Sequence, residues 1–297
     1  MLGAPGRAAY LAYRAGADVA RVLPPTLGRS LARTVSRALP VLWATRRRQV
    51  ERNLQRASRG QLQGDELRRA TARVFDNYGR YWHELFRLRG DDAVEVDTDS
   101  VGYEHIAEPQ AAGRGVILAL PHLGNWDAAG AWLHGRGHRL TAVAEPLEPP
   151  ELFEWFAAQR RAIGIDVVPL GPGAATAVLR ALDEGQIAAL VCDRDLTGDG
   201  VTVELFGETT TMPGGPAVLA LRSGAPLVPV GIYFRPDSRR FIHILEPVPA
   251  ERQGSLRDDV QRVTQDLACR FEELITAAPD QWLMMQPVWP ADMPDRS

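Results

Sequence analysis

From about residue 100 onward the chain alternates short apolar runs with stretches of helical periodicity, a texture that demands a layered sheet built largely from βαβ units. The strand candidates are 115–120, 140–144, 166–169, 186–192, 201–206, 226–233 and 241–244. Helical patterns fall between them near 125–135, 151–163, 174–184, 213–223 and 256–277. Strand 201–206 follows Asp195 too closely for a crossover helix, so the sheet should be mixed. The expected fold is α/β, with a mixed, mostly parallel central sheet flanked by helices and an amphipathic helical amino-terminal region before it.

Charge divides the chain unevenly. All 34 basic residues are arginine; residues 1–60 carry 12 of them against Asp18 and Glu51, and the remainder carries 22 against 35 acids, so +10 faces −13. A basic arm of this kind meets polyanions, either nucleic acid or an anionic membrane. Leu11, Val19, Val22, Leu27, Leu31, Val35, Leu39 and Leu42 are interleaved with the arginines, which favours the membrane surface and speaks against nucleic acid. Pro24-Pro25 splits the segment into two amphipathic helices, about 6–22 and 26–44, whose apolar stripes could instead pack on the protein's own core, or do both on different faces. Arginines interrupt it too often for the roughly 20 apolar residues of a membrane span, and no apolar stretch suits a cleaved signal peptide. Residues 46–90 read as further helix, with Tyr78, Tyr81, Trp82, Leu85 and Phe86 as a core stripe. The expected division is a membrane-associating region, 1–58, and an α/β catalytic domain, 59–297. Cys192 and Cys269 form no C-x-x-C pair, so neither a disulfide framework nor a thiolate metal site is indicated and a reducing cytosol is the simplest compartment.

The chemistry concentrates where strand 115–120 runs into Pro121-His122-Leu-Gly-Asn-Trp-Asp127. Ligands of open α/β sheets bind at the carboxyl ends of the strands, and a histidine there suits a general base acting on a hydroxyl. Three carboxylates compete to orient it. Asp127 would be about 140° round a continuous helix from His122, so it could help only if His122 precedes the helix and the chain turns at Gly124. Asp193, ending strand 186–192, is the first choice if that strand lies parallel to 115–120. Glu204 is the reserve, although an exposed sheet-face glutamate is its simpler reading. Backbone N–H groups near Gly124, or an arginine, could meet a developing oxyanion. No histidine or carboxylate cluster joins His122 at ligand spacing, so no metal is expected.

At His122-Leu-Gly-Asn-Trp-Asp127 the chain resembles the lipid acyltransferases that share a His-x4-Asp/Glu motif, in the branch of the lipid A late acyltransferases. Arg48-x-x-x-Arg52-Asn53-Leu54, Asn77-Tyr-Gly-Arg-Tyr81, Asp193-Arg-Asp195, Phe206-Gly207, Met212-Pro-x-Gly-Pro216-Ala217 and Pro279-x-Gln-Trp282 follow in that family's order. Asp127 in place of the lipid A branch's usual Glu, Arg194 in place of Gln, and Trp282-Leu-Met-Met-Gln286-Pro-Val-Trp289 resemble instead the phosphatidylinositol mannoside acyltransferases of actinobacteria. The resemblance implies a peripheral enzyme on the cytoplasmic face of the cell membrane. It would carry a palmitoyl-type chain from acyl-CoA, a co-substrate, to a mannose hydroxyl of a glycolipid without any cofactor. It also implies an active-site arginine at Arg160 or its neighbour Arg161. Arg160, Arg194, Asp195 and Glu204 are the candidates for substrate binding. The rivals are a lipid A type enzyme fed by acyl carrier protein and a non-catalytic membrane-binding protein.

Overall fold

The computed structural model describes residues 6–88, 98–236 and 239–293. Four helices come first: α1 (Gly6–Val22), α2 (Pro25–Leu42), α3 (Ala44–Ala57) and α4 (Gly64–Arg87). Pro25 opens α2 at a position where its missing N–H would have had no helical partner. Gly28 and Gly79 let α2 press onto α4: a Cβ at Gly28 would lie 2.6 Å from the His83 ring, and one at Gly79 would lie 2.7 Å from Ser36. Residues 46–90 are not one helix. The chain leaves α3 through Arg59 and Gly60, both at positive φ, and the Gly60 N–H caps the Gln55 carbonyl, the ordinary way a glycine ends a helix. Of the aromatic stripe on α4, Tyr81 and Leu85 are fully buried, while Tyr78, Trp82 and Phe86 are partly covered.

The second layer runs β1 (Thr98–Val101), α5 (Glu104–Ala111), β2 (Val116–Leu120), α6 (Trp126–His134), β3 (Leu140–Ala144), α7 (Pro150–Arg161), β4 (Ile165–Pro169), α8 (Ala174–Asp183) and β5 (Ile187–Val191). It continues with β6 (Val201–Leu205), β7 (Glu208–Met212), α9 (Gly215–Ser223), β8 (Leu227–Phe234), β9 (Arg240–Ile244) and α10 (Leu256–Ala277). Seven strands form one sheet in the order β1-β9-β8-β2-β5-β3-β4. The strands from β8 to β4 are parallel; β9 pairs antiparallel with β8, and β1 runs with β9. The central strands β2 and β8 are buried at every residue, as strands covered on both faces must be.

The sheet is mixed, but not for the reason the sequence suggested. Strand 201–206 leaves the sheet altogether: β6 pairs only with β7, through a two-residue turn at Phe206-Gly207 with both φ positive, the turn that matches hairpin twist. The hairpin lies on α10, where the Gln265 side chain bonds both the N–H and the carbonyl of Glu204. α8, α9 and α10 cover one core on one sheet face, and α5 and α6 cover a second core on the other. The division expected at residue 58 falls between α3 and α4, yet α4 packs on α1, α2 and α3 and also reaches α6 through Tyr81 and the residue before it through Glu84.

Candidate active site

The register of β2 against β5 fixes the site. Leu120 pairs with Val191, so the residues two further along each strand, His122 and Asp193, emerge together from the same sheet edge. His122 Nδ1 lies 2.5 Å from Asp193 Oδ1, and the His122 backbone N–H donates to Asp193 Oδ2 at 2.8 Å. Trp282 Nε1 donates to the same Oδ2 at 2.7 Å. Asp193 has no solvent exposure. Burial alone would raise its pKa, but the His122 ring and the N–H donors outweigh it and hold the carboxyl below its ordinary value. His122 itself stays one-third exposed, and with Nδ1 turned to Asp193 its Nε2 is the nitrogen left for a substrate. The Trp126 indole stands edge-on to the imidazole with centroids 5.5 Å apart.

The C-terminal segment locks this loop. Leu283 N–H donates to the His122 carbonyl at 2.7 Å, and Leu123 bridges Trp282. Gly124 takes φ +65°, and a Cβ there would lie 2.1 Å from the Ile232 carbonyl oxygen, so only glycine fits. Asn125 then caps α6, accepting from Ala128 N–H at 3.1 Å while its amide donates to Glu84 at 2.9 Å. The backbone N–H groups near Gly124, candidates for meeting an oxyanion, are already engaged: His122 with Asp193, Leu123 with the Pro121 carbonyl and Gly124 with the Gln281 carbonyl.

Asp127 does not touch His122. The helix begins at Trp126, after His122, so the chain does turn as required, but Asp127 points the other way. Arg160 donates to it through Nε at 2.7 Å and Nη2 at 3.4 Å, and the Tyr81 hydroxyl donates at 2.9 Å. The two neighbouring arginines are thereby separated: Arg160 is the buried one, and Arg161 is exposed, 3.7 Å from Glu154. Burial works against the Arg160 charge, but Asp127 and Tyr81 overcome it and raise its pKa. This three-residue knot ties α4, α6 and α7 together beneath the site.

The remaining candidates part company. Arg194 lines the cavity beside His122. Asp195 does not; its oxygens accept from Thr197, Gly198 and Gly200 N–H groups and from the Thr211 hydroxyl, closing the loop 195–200. Glu204 is exposed on the outlying hairpin and cannot serve as the reserve partner of His122, because β6 lies outside the sheet. Sequence reasoning gave Trp282, Glu84 and Asn125 no role in the site. A buried indole N–H must find an acceptor, and an Asn ahead of a helix is a capping residue; those were the available signals. Among the described residues no group of His, Cys, Asp and Glu is placed to hold a metal ion.

A cavity of about 590 Å³ opens at His122 and draws its lining from both faces of the sheet edge. Leu118, Leu120, Trp132, Leu140, Ala142 and Val230 line it on the α6 side; Val143, Val178, Leu190, Pro216 and Leu219 line it towards α8 and α9. Its walls are mainly apolar, with His122, Asp127, Glu145, Arg160, Arg194 and Thr197 supplying the polar side chains. Cys192 also borders it, but burial and then Asp193 push its thiol pKa up, so it remains protonated and a poor nucleophile.

The family model of the bacterial lipid A biosynthesis acyltransferases matches residues 2–290. The phosphatidylinositol mannoside acyltransferase of Mycolicibacterium smegmatis is 36% identical over 301 residues, covering 98% of this chain and 94% of that protein. The one from Mycobacterium tuberculosis H37Rv is 40% identical over 225 residues, covering 73% and 69%. The lipid A biosynthesis acyltransferase of Haemophilus influenzae is 24% identical over 198 residues, 66% of this chain and 60% of that protein. The chain belongs to the bacterial lipid A biosynthesis acyltransferase family and is an acyltransferase, which sets aside the non-catalytic reading.

Proposed function

We propose that this member of the family transfers a palmitoyl-type chain from acyl-CoA to a mannose hydroxyl of phosphatidylinositol mannoside at the cytoplasmic face of the cell membrane. The observation that carries the reading is His122, held through Nδ1 by a buried Asp193, beside a mainly apolar cavity. The similarity to the two mycobacterial enzymes supports the acceptor.

Asp193 accepts a hydrogen bond from Nδ1–H and fixes the tautomer in which Nε2 is free to take a proton. Nε2 removes the proton of the sugar hydroxyl as its oxygen attacks the thioester carbonyl. The tetrahedral intermediate collapses, the C–S bond breaks, and the coenzyme A thiolate leaves and recovers the proton from the imidazolium. Asp193 stabilises that imidazolium throughout. No acyl-enzyme is involved, in keeping with the protonated Cys192. The apolar walls would hold the chain at about 0.8 kcal/mol for each buried CH₂.

The amino-terminal helices supply the membrane contact. Leu11, Leu27 and Val35 are 57%, 58% and 52% exposed, and Val41 and Leu42 more so, although they are large apolar residues on helices that pack against α4. Such a row between arginines suits the headgroup boundary of an anionic bilayer. Among the described residues no helix is long and apolar enough to cross one. α1 adjoins the wall of the cavity: Gly6 sits against Glu148 and Pro149, next to Leu147 in the lining.

The test pairs palmitoyl-CoA and palmitoyl acyl carrier protein with phosphatidylinositol mannoside and with a lipid A precursor. Transfer from the CoA thioester to the mannoside, abolished in His122→Ala, is the expected result. Exclusive use of the carrier protein overturns the donor, and exclusive use of the lipid A precursor, the acceptor that likeness to the Haemophilus enzyme favours, overturns the acceptor.

A further inference from the structure

The polar groups of the cavity are almost all engaged with one another. Arg160 and Asp127 face each other, Thr197 bonds Asp195 and Asp199, and the backbone N–H groups of residues 122–124 have acceptors. Arg194 differs. Its Nε is buried and has no hydrogen-bond partner among the described residues, and its guanidinium meets Glu145 only at 3.7 Å. It directly follows Asp193, so it leaves the same strand end that holds His122, and it lines the same cavity. Buried N–H groups almost always find an acceptor, and an arginine stays charged even in apolar surroundings.

We propose that Arg194 is the oxyanion donor of the transfer step, its guanidinium N–H groups directed at the thioester carbonyl oxygen. This rests on the reaction proposed above. As the sugar oxygen forms its bond to the carbonyl carbon, the π electron pair moves onto the oxygen and Arg194 holds that charge. When the pair returns, the C–S bond breaks and the thiolate carries its electrons away, while the hydroxyl proton passes through His122 Nε2. In a mainly apolar cavity a charged donor stabilises this intermediate more than it stabilises the neutral thioester. Glu145, which lines the same cavity, lies 3.7 Å from the guanidinium and is its nearest counter-charge there.

Steady-state transfer is measured for the wild type, Arg194→Met, Arg194→Lys, Arg194→Ala with and without methylguanidinium, and His122→Ala. Arg194→Met should lower kcat about 10²- to 10³-fold, as loss of one oxyanion donor does elsewhere, with KM for donor and acceptor nearly unchanged. Arg194→Lys should recover part of the loss, and methylguanidinium added to Arg194→Ala should restore turnover, which no merely structural role would allow. Wild-type kcat in Arg194→Met alongside an inactive His122→Ala overturns the assignment alone. A raised KM for acyl-CoA at unchanged kcat also overturns it and makes Arg194 a phosphate clamp. A fully active His122→Ala removes the reaction on which the assignment depends, and the assignment with it.

Discussion

Replacing Arg160 by Met should be among the most damaging single changes at this site, although Arg160 does not contact His122. Asp127 is 1% exposed and accepts two contacts from Arg160 and one from the Tyr81 hydroxyl. Without the guanidinium, a buried carboxylate keeps a single neutral donor, and breaking a buried pair in this way costs about 3–5 kcal/mol. With a urea m-value of about 3 kcal/mol/M, the unfolding midpoint should fall by roughly 1–1.7 M. The double variant Asp127→Leu/Arg160→Met leaves no stranded charge and should lose much less than the sum of the two single changes. The assay is urea denaturation followed by tryptophan fluorescence, with a double-mutant cycle. A midpoint unchanged in Arg160→Met, or additive losses in the double variant, would refute the view of Asp127 as a structural anchor rather than the partner of His122.

Gly124→Ala should cost well over 1 kcal/mol and abolish turnover, since both its φ and the Ile232 carbonyl exclude a methyl group; thermal melting and the transfer assay check it, and a stable, active variant contradicts it. The carboxyls of Asp193 and Glu84 have pKa values below the ordinary range: burial acts to raise both, and the His122 ring for one and Arg240 and Arg80 for the other more than offset it. The stability they contribute is therefore complete above the unfolded carboxylate range of about 4 and lost as pH falls through their folded values. Asp193→Asn should flatten the acid limb of a Tm-against-pH curve, and an unaltered limb would remove Asp193 from that role. Changing Leu27, Leu31 and Val35 together to Ser should weaken sedimentation with anionic vesicles by at least tenfold while leaving the melting temperature within a few degrees, because all three are exposed. Unchanged vesicle binding would contradict the proposed docking face.

Much of this arrangement was legible in the chain because it is governed by local pattern. Apolar runs ending in Pro121-His122 and Cys192-Asp193 mark two buried strands, and parallel pairing of neighbours brings their ends to one edge. The helix break at Arg59-Gly60 and the hairpin through Phe206-Gly207 were lost among stronger apolar signals: Glu208–Met212 is a polar, threonine-rich strand with little hydrophobic pattern to betray it. Long-range partners are a harder problem. Trp282 reaches Asp193 across 89 positions and Tyr81 reaches Asp127 across 46, and no spacing rule encodes either contact. Asp127 was the instructive case: its spacing from His122 excluded a shared helical face, while the direction it took instead depended on Arg160, in the last turn of a separate helix.

The most direct examination of the catalytic pair is nitrogen-15 NMR of the histidine-labelled protein, with His122 assigned by comparison with His122→Ala. In the neutral ring, the proton should reside on Nδ1, bonded to Asp193, and Nε2 should show the shift of an unprotonated nitrogen. A ring that carries its proton on Nε2 would have no lone pair to offer the sugar hydroxyl, and the base assigned here would not be one.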